Sequence, residues 1–210
     1  TIGRRQRQMC IRDSLLILDS MICGMFQFRE SIEKHEIFDL IKTLYPFFAE
    51  EYFLPWHFEE IETQIDKSIK KLVDNNLLII KENEIKRPNV NSEEFIECQA
   101  LGRIAQRSID RFYILMLQLW RNEESHISIN ELEKKCRKIS KNLEARHSWL
   151  MPEFSEKWTF DLFINHLIEA KFVKKDEKGF VYPLNITKRI EDDFKTFITP
   201  EWQEELFNLE

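Results

Sequence analysis

Apolar residues recur along this chain at helical spacing, interrupted by short runs that are apolar throughout. Leu15 to Phe28 predicts a short apolar helix, and Ile32, Ile37, Leu40, Ile41, Leu44 and Phe48 mark the stripe of a second. Pro46 falls inside that second helix, where it removes a backbone donor and is expected to kink it. The link Tyr52-Phe53-Leu54-Pro55-Trp56 is too apolar to be expected free in solvent. Phe58, Ile61, Ile65, Ile69, Leu72 and Val73 then share one face of an amphipathic helix that Asn75-Asn76 is suited to end, since Asn tolerates a left-handed cap. Leu77 to Ile80 and Glu84 to Arg87 predict a small hairpin around Glu82-Asn83.

Pro88 to Ser92 reads as a linker. Beyond it, the stripe Leu101, Ile104, Ala105, Ile109, Phe112, Leu115, Met116 and Leu119 predicts one long helix over Glu93–Trp120. Ser128-x-x-Glu131 is a capping box opening the next helix, on which Ile129, Leu132, Cys136, Ile139 and Leu143 align. Pro152 breaks the chain, Ser155 is expected to cap a helix to about Lys171, and Phe172–Val173 with Phe180–Tyr182 predict a second hairpin. A final helix, Thr187 to Ile198, is expected to stop at Pro200. The fold class is therefore mainly α, with two short β-hairpins in winged-helix-like units at roughly 29–88 and 125–184, sharing architecture without a residue-level repeat. The organisation expected is 15–88 as a helical unit ending in a hairpin, and 89–210 as the long helix followed by a second such unit and a C-terminal helix.

Composition supports this picture. The 210 residues include 17 Phe and 5 Trp but 4 Gly, too few for the tight turns of a hairpin-rich fold or for glycine-cradled phosphates. A net charge of −6 argues against nucleic-acid binding, which depends on neutralising phosphates. The predicted helix before the first hairpin carries Glu59, Glu60, Glu62, Asp66 and Asp74 against Lys67, Lys70 and Lys71, the wrong balance for a DNA reader. Cys10, Cys23, Cys98 and Cys136 form no C-x-x-C pair and read as reduced thiols of a cytoplasmic protein. The apolar run Leu15–Phe28 is interrupted by Asp19 and Ser20 and falls short of the roughly 20 residues of a membrane-spanning helix.

Residues 1–14 differ from the rest, with four arginines and one aspartate and no apolar period. The string RRQRQMCIRDS resembles translated sequencing-adapter sequence. The segment is expected to be non-native and is set aside from functional reasoning.

No catalytic constellation emerges. Phosphate-binding glycine loops and the G-x-S-x-G elbow are missing. His35 and Asp39 share a helix face without a third metal ligand nearby, and no cofactor is expected. One cluster has chemical potential. Lys134, Lys135, Arg137, Lys138, Lys141 and Arg146 crowd positive charge onto one helix of an acidic chain. Lys134, Lys138 and Lys141 fall on one face with Arg137 beside them. Such a patch could dock anionic lipid headgroups or an acidic acyl-carrier partner, or it could simply be the solvated side of the helix.

Several segments, in order, resemble the C-terminal region of the bacterial membrane-bound glycerol-3-phosphate 1-O-acyltransferase family. Leu44-Tyr45-Pro46 with Ala49 to Trp56 is similar to that family's LYP…AELFLRW. Leu72 to Ile79 resembles its helix-to-strand step, with Asn76 where glycine is usual. Arg111-Phe112-Tyr113-Ile114 is similar to RYYI, Leu132-Glu133-Lys134 to the start of LEKES, and Pro152 to Lys157 to PEFFDK.

The resemblance implies acyl transfer from acyl-carrier protein or coenzyme A to the sn-1 hydroxyl of glycerol 3-phosphate, in phospholipid biosynthesis. It implies a peripheral place on the cytoplasmic face of the inner membrane. The family's general base lies in a His-x-x-x-x-Asp motif, which this chain lacks: His35 is followed by Asp at the fourth position, and the other histidines by Glu62, Glu131, Pro152 and Lys171 at the fifth. No catalytic residue is carried over, and the chain is expected to be inactive alone, its main partner being the acyltransferase domain of the same protein. The alternative is a free-standing winged-helix-like protein-interaction module.

Overall fold

A computed structural model describes residues 16–123, 127–147, 152–169, 171–184 and 193–209. The segment 1–14, set apart by its composition, lies outside the described residues, as does the first half of the predicted helix Thr187–Ile198. The fold is mainly α, with two small three-stranded antiparallel sheets. Two compact units divide between Gln106 and Arg107, inside the long helix.

The first unit contains α1 (Ile17–Met25), β1 (Ser31–Glu33), α2 (Lys34–Glu51), a 3-10 turn (Phe58–Glu60), α3 (Ile61–Asp74), β2 (Ile79–Lys81), β3 (Glu84–Lys86) and the start of α4 (Glu93–Arg121). Every residue of α1 is buried, as expected of a helix apolar all round. Its two polar residues are provided for. Asp19 accepts from Lys71 Nζ at 2.6 Å. The Ser20 hydroxyl donates to the Gly102 carbonyl at 3.2 Å and accepts from the Ala105 N–H at 2.8 Å. Pro46 is accommodated within α2.

The second unit continues α4 and adds β4 (Ile127–Ser128), α5 (Ile129–Arg146), a 3-10 turn (Pro152–Ser155), α6 (Lys157–Glu169), β5 (Val173–Lys175), β6 (Phe180–Pro183) and α7 (Pro200–Asn208). Phe112 of α4 stacks on Phe194 at 4.3 Å and meets Phe163 of α6 edge-on at 5.2 Å. Ser128 caps α5, accepting from the Glu131 N–H, as its sequence predicts.

Each unit holds the same series, strand–helix–3-10 turn–helix–strand–strand, with the last strand in the middle of its sheet. Counterparts are offset by about 95 residues, as with Ser31 and Ile127, Lys34 and Ile129, or Glu84 and Phe180. The matching extends to single residues. Ile32 faces Ile85 across β1 and β3, and Ile127 faces Val181 across β4 and β6, all four buried. Both α3 and α6 end on a left-handed residue, Asn76 (φ 60°) and Lys171 (φ 59°). The next N–H in each case returns to the helix at 2.9 Å, Leu77 to the Leu72 carbonyl and Phe172 to the Leu167 carbonyl. This is the Schellman closure, which satisfies carbonyls a helix end otherwise leaves open.

The structure corrects four expectations. Ile32 lies on a strand, not on the α2 stripe, so each hairpin is the outer part of a three-stranded sheet. Phe53 is 75% exposed although its link was expected to be covered. Phe58 sits on the 3-10 turn before α3 and is half-exposed, outside the buried face of Ile61, Ile65, Ile69 and Leu72. Ser155 closes a 3-10 turn and bonds Glu144, and α6 begins two residues later. Pro200 starts a helix: it occupies the first turn of α7, where its missing N–H costs nothing, and Thr199 caps that helix by accepting from the Trp202 N–H at 3.0 Å.

Candidate functional site

The basic helix α5 is two-sided. Leu132, Cys136, Ile139 and Leu143 are buried, while Lys134, Lys138 and Lys141 stand exposed on the opposite face. Arg137 sits beside them in a different role. Its guanidinium donates to the buried Glu133 carboxylate and to the Ser155 carbonyl, each at 3.2 Å. Glu144, further along α5, accepts from the Ser155 N–H at 2.8 Å and from its hydroxyl at 3.1 Å. Arg137 and Glu144 thereby clamp the Pro152–Ser155 turn onto α5. The four positions named from sequence thus separate into three lysines with no ion pair among the described residues and one arginine committed to internal bonds.

The segments that carried the family resemblance go inward. Leu44, Tyr45, Phe112, Tyr113, Ile114, Leu132 and Phe154 are all buried. The Tyr45 hydroxyl donates to the Trp56 carbonyl at 2.5 Å and so ties the 52–57 link to α2; burial raises its pKa above the ordinary tyrosine range, with Glu60 adding to the rise. Arg111 donates to Ser108 at 3.1 Å. Phe53 is the most exposed large apolar side chain of these segments. It follows the cap of α2 with φ 52°, a conformation that suits glycine, and the Leu54 N–H returns to the Ala49 carbonyl at 2.9 Å. A large β-carbon in the left-handed region is uncommon and costs about 1–2 kcal/mol; here it projects an aromatic ring into solvent.

Reactive groups are otherwise enclosed. Cys23, Cys98 and Cys136 are buried free thiols. Cys23 is hydrogen-bonded to Cys98, and this bond together with burial pushes its pKa far up; burial does the same for Cys136. Cys23 and Cys136 are therefore protonated and poorly nucleophilic, whereas the bond to Cys23 lowers the pKa of Cys98. His35 lies 3.1 Å from Glu33, and His147 lies 2.8 Å from Glu205. Among the described residues no three His, Cys, Asp or Glu side chains gather as metal ligands, and no helix is long and apolar enough to cross a membrane.

Two helical units, each closed by a three-stranded sheet, with no metal-ligand cluster among the described residues, define the class as a mainly helical region. Comparison with known sequences gives the family: residues 14–176 match the profile described as "Glycerol-3-phosphate acyltransferase C-terminal region", and the chain belongs to that family. It is 28% identical over 165 residues to the glycerol-3-phosphate acyltransferases of Pseudomonas fluorescens (strain SBW25) and Pseudomonas savastanoi pv. phaseolicola, covering 79% of this chain and 20% of each relative. With the enzyme of Pseudomonas aeruginosa (strain LESB58) the identity is 28% over 162 residues, 77% of this chain and 19% of the relative. The chain therefore spans about a fifth of the length of these curated relatives. No solved structure matches it.

Proposed function

We propose that this region is a non-catalytic support that packs on the acyltransferase portion of a longer protein. That protein would transfer an acyl group from acyl-carrier protein or coenzyme A to the sn-1 position of glycerol 3-phosphate. The carrying observation is where the family-like segments go: they build cores, caps and clamps, while Phe53 accepts both backbone strain and solvent exposure. Two local penalties at one residue point to a benefit realised elsewhere. Half-exposed Phe28, Phe58, Ile79 and Ile80 in the same unit add apolar surface for such a contact. Exposed Lys134, Lys138 and Lys141 suit a peripheral position against the anionic cytoplasmic face of the membrane.

The test is Phe53→Gly, made both in this chain and in a full-length acyltransferase carrying this region. In the isolated chain it relieves strain and raises the melting temperature. In the full-length enzyme it lowers activity or abundance, because the docking ring is gone. Unchanged full-length activity and abundance, or acyltransferase activity in the isolated chain, would overturn the reading.

A further inference from the structure

We propose that the second unit holds a binding site for a phosphate-type dianion, in a cleft of about 790 Å³ bounded by the end of α4, α5 and α7. Its polar lining is Gln118, Arg121, Asn122, Lys135 and Lys138, and Phe207 forms an apolar rim. Among the described residues three cations line this space and no carboxylate does; Glu131 lies outside it, 3.9 Å from Lys135. Like charges gathered in a concave site raise the local concentration of anions.

The site is built rather than merely charged. Arg121 is fixed by donating to the Leu209 carbonyl at 2.8 Å and to the Phe207 carbonyl, with its guanidinium 4.9 Å from the Phe207 ring centre. Lys135 is steadied by the Asn122 side-chain oxygen at 2.7 Å, and Asn122 by the Gln118 carbonyl at 2.7 Å. Lys138 is exposed and makes no ion pair among the described residues. Gln118 is 5% exposed, and its Nε2 has no acceptor among the described residues. A buried amide donor without an acceptor costs free energy that a ligand oxygen restores.

Charge and donor number set the class of ligand. Two ammonium groups, a fixed guanidinium and an amide suit a doubly charged group with several oxygens better than a carboxylate, whose single charge leaves two of the three cations unmatched. Phosphate, free or as a lipid headgroup, meets this demand. The proposal stands apart from the Phe53 docking reading, since Phe53→Gly leaves the cleft intact.

The experiment is titration of the whole 210-residue chain with inorganic phosphate, in chloride buffer of matched ionic strength, read by calorimetry. Saturable binding is expected. Lys138→Glu, at an exposed position, weakens it about tenfold through loss of a charge-assisted contact. Lys134→Glu, the same charge change on α5 outside the cleft, alters it by less than about twofold. Phosphatidylcholine vesicles with and without phosphatidic acid distinguish the sources: displacement of phosphate only by the acidic vesicles assigns a lipid headgroup, and no displacement assigns a soluble phosphate. Absence of saturable binding in the unaltered chain, or equal weakening by both substitutions, overturns the site. Should Lys138→Glu unfold, Lys138→Gln is read against the same criteria.

Discussion

Gly102→Ala isolates the crossing of α1 and α4 in the first unit. Alanine is ordinarily the better helix residue, by about 0.8–1.0 kcal/mol. Here its methyl group would lie 3.0 Å from the Gly24 nitrogen, 3.1 Å from the Gly24 Cα and 3.1 Å from the Gln27 side-chain nitrogen. Two of these neighbours are backbone atoms at the end of a fully buried helix, and they have little room to retreat. Overpacking of this kind costs about 1–3 kcal/mol. The Ser20 hydroxyl, bridging Gly102 and Ala105 across the same crossing, would lose geometry at two bonds worth roughly 1 kcal/mol each if the helices separate.

The clash outweighs the propensity gain, and the expected net loss is about 1–2 kcal/mol, a fall in melting temperature of roughly 3–6 °C for a chain of this size. Thermal unfolding followed by far-ultraviolet circular dichroism reads it. Ser20→Ala is a second entry to the same contact, so the double variant is expected to lose less than the sum of the two. A melting temperature at or above that of the unaltered chain would refute the reasoning, because it would mean that α1 yields freely.

Lys171→Gly is expected to gain about 0.5–1 kcal/mol in urea unfolding, since an exposed lysine now holds a left-handed backbone (φ 59°) that glycine adopts at no steric cost. Lys71→Met removes the partner of Asp19, whose side chain is nearly inaccessible while that of Lys71 is half-exposed, so a loss of roughly 1–2 kcal/mol is expected in the same assay. Glu36 accepts from both terminal nitrogens of Arg29, which holds its pKa below the ordinary glutamate range. Its stabilising contribution is complete above the unfolded-state pKa and disappears as pH falls through the lower folded value. Glu36→Gln is therefore expected to reduce the acid dependence of stability across that window while leaving neutral pH behaviour parallel to that of the parent.

Much of this fold was legible because helices announce themselves locally. The α4 stripe, the Ser128 cap and the Asn76 stop rest on interactions within a few residues, and each appears where the pattern put it. The first strands were hidden for the opposite reason. β1 is three residues long and β4 two, too short for alternation to show, and their partners lie more than fifty residues downstream. Pro200 was read as a stop because proline ends helices more conspicuously than it begins them; the signal that resolves it is the preceding Thr199, a capping residue. In the candidate site, the lysine cluster of α5 was visible as composition. The contributions of Gln118 and Arg121 were not, because residues on separate helices come together only through the packing of α4, α5 and α7.

The two repeated units show where their functions divide. Positions that hold the frame agree in kind: a buried apolar pair at the sheet centre, and a left-handed stop after the second helix. Sequence identity is not needed for that agreement, since any β-branched pair fills the sheet centre and a tolerant residue closes the helix. The first helices differ in sign. α2 carries Lys34 and Lys42 against Glu36, Asp39, Glu50 and Glu51, whereas α5 carries six basic residues against Glu131, Glu133 and Glu144. A frame that tolerates either sign does not require the basic one. The exposed lysines of α5 contribute nothing to its buried face, so holding like charges together there costs repulsion that the fold does not need. The anion proposed for the α5 cleft would supply the compensation. By the same reasoning the first unit, which lacks that charge and instead exposes Phe53, suits the apolar contact proposed for it.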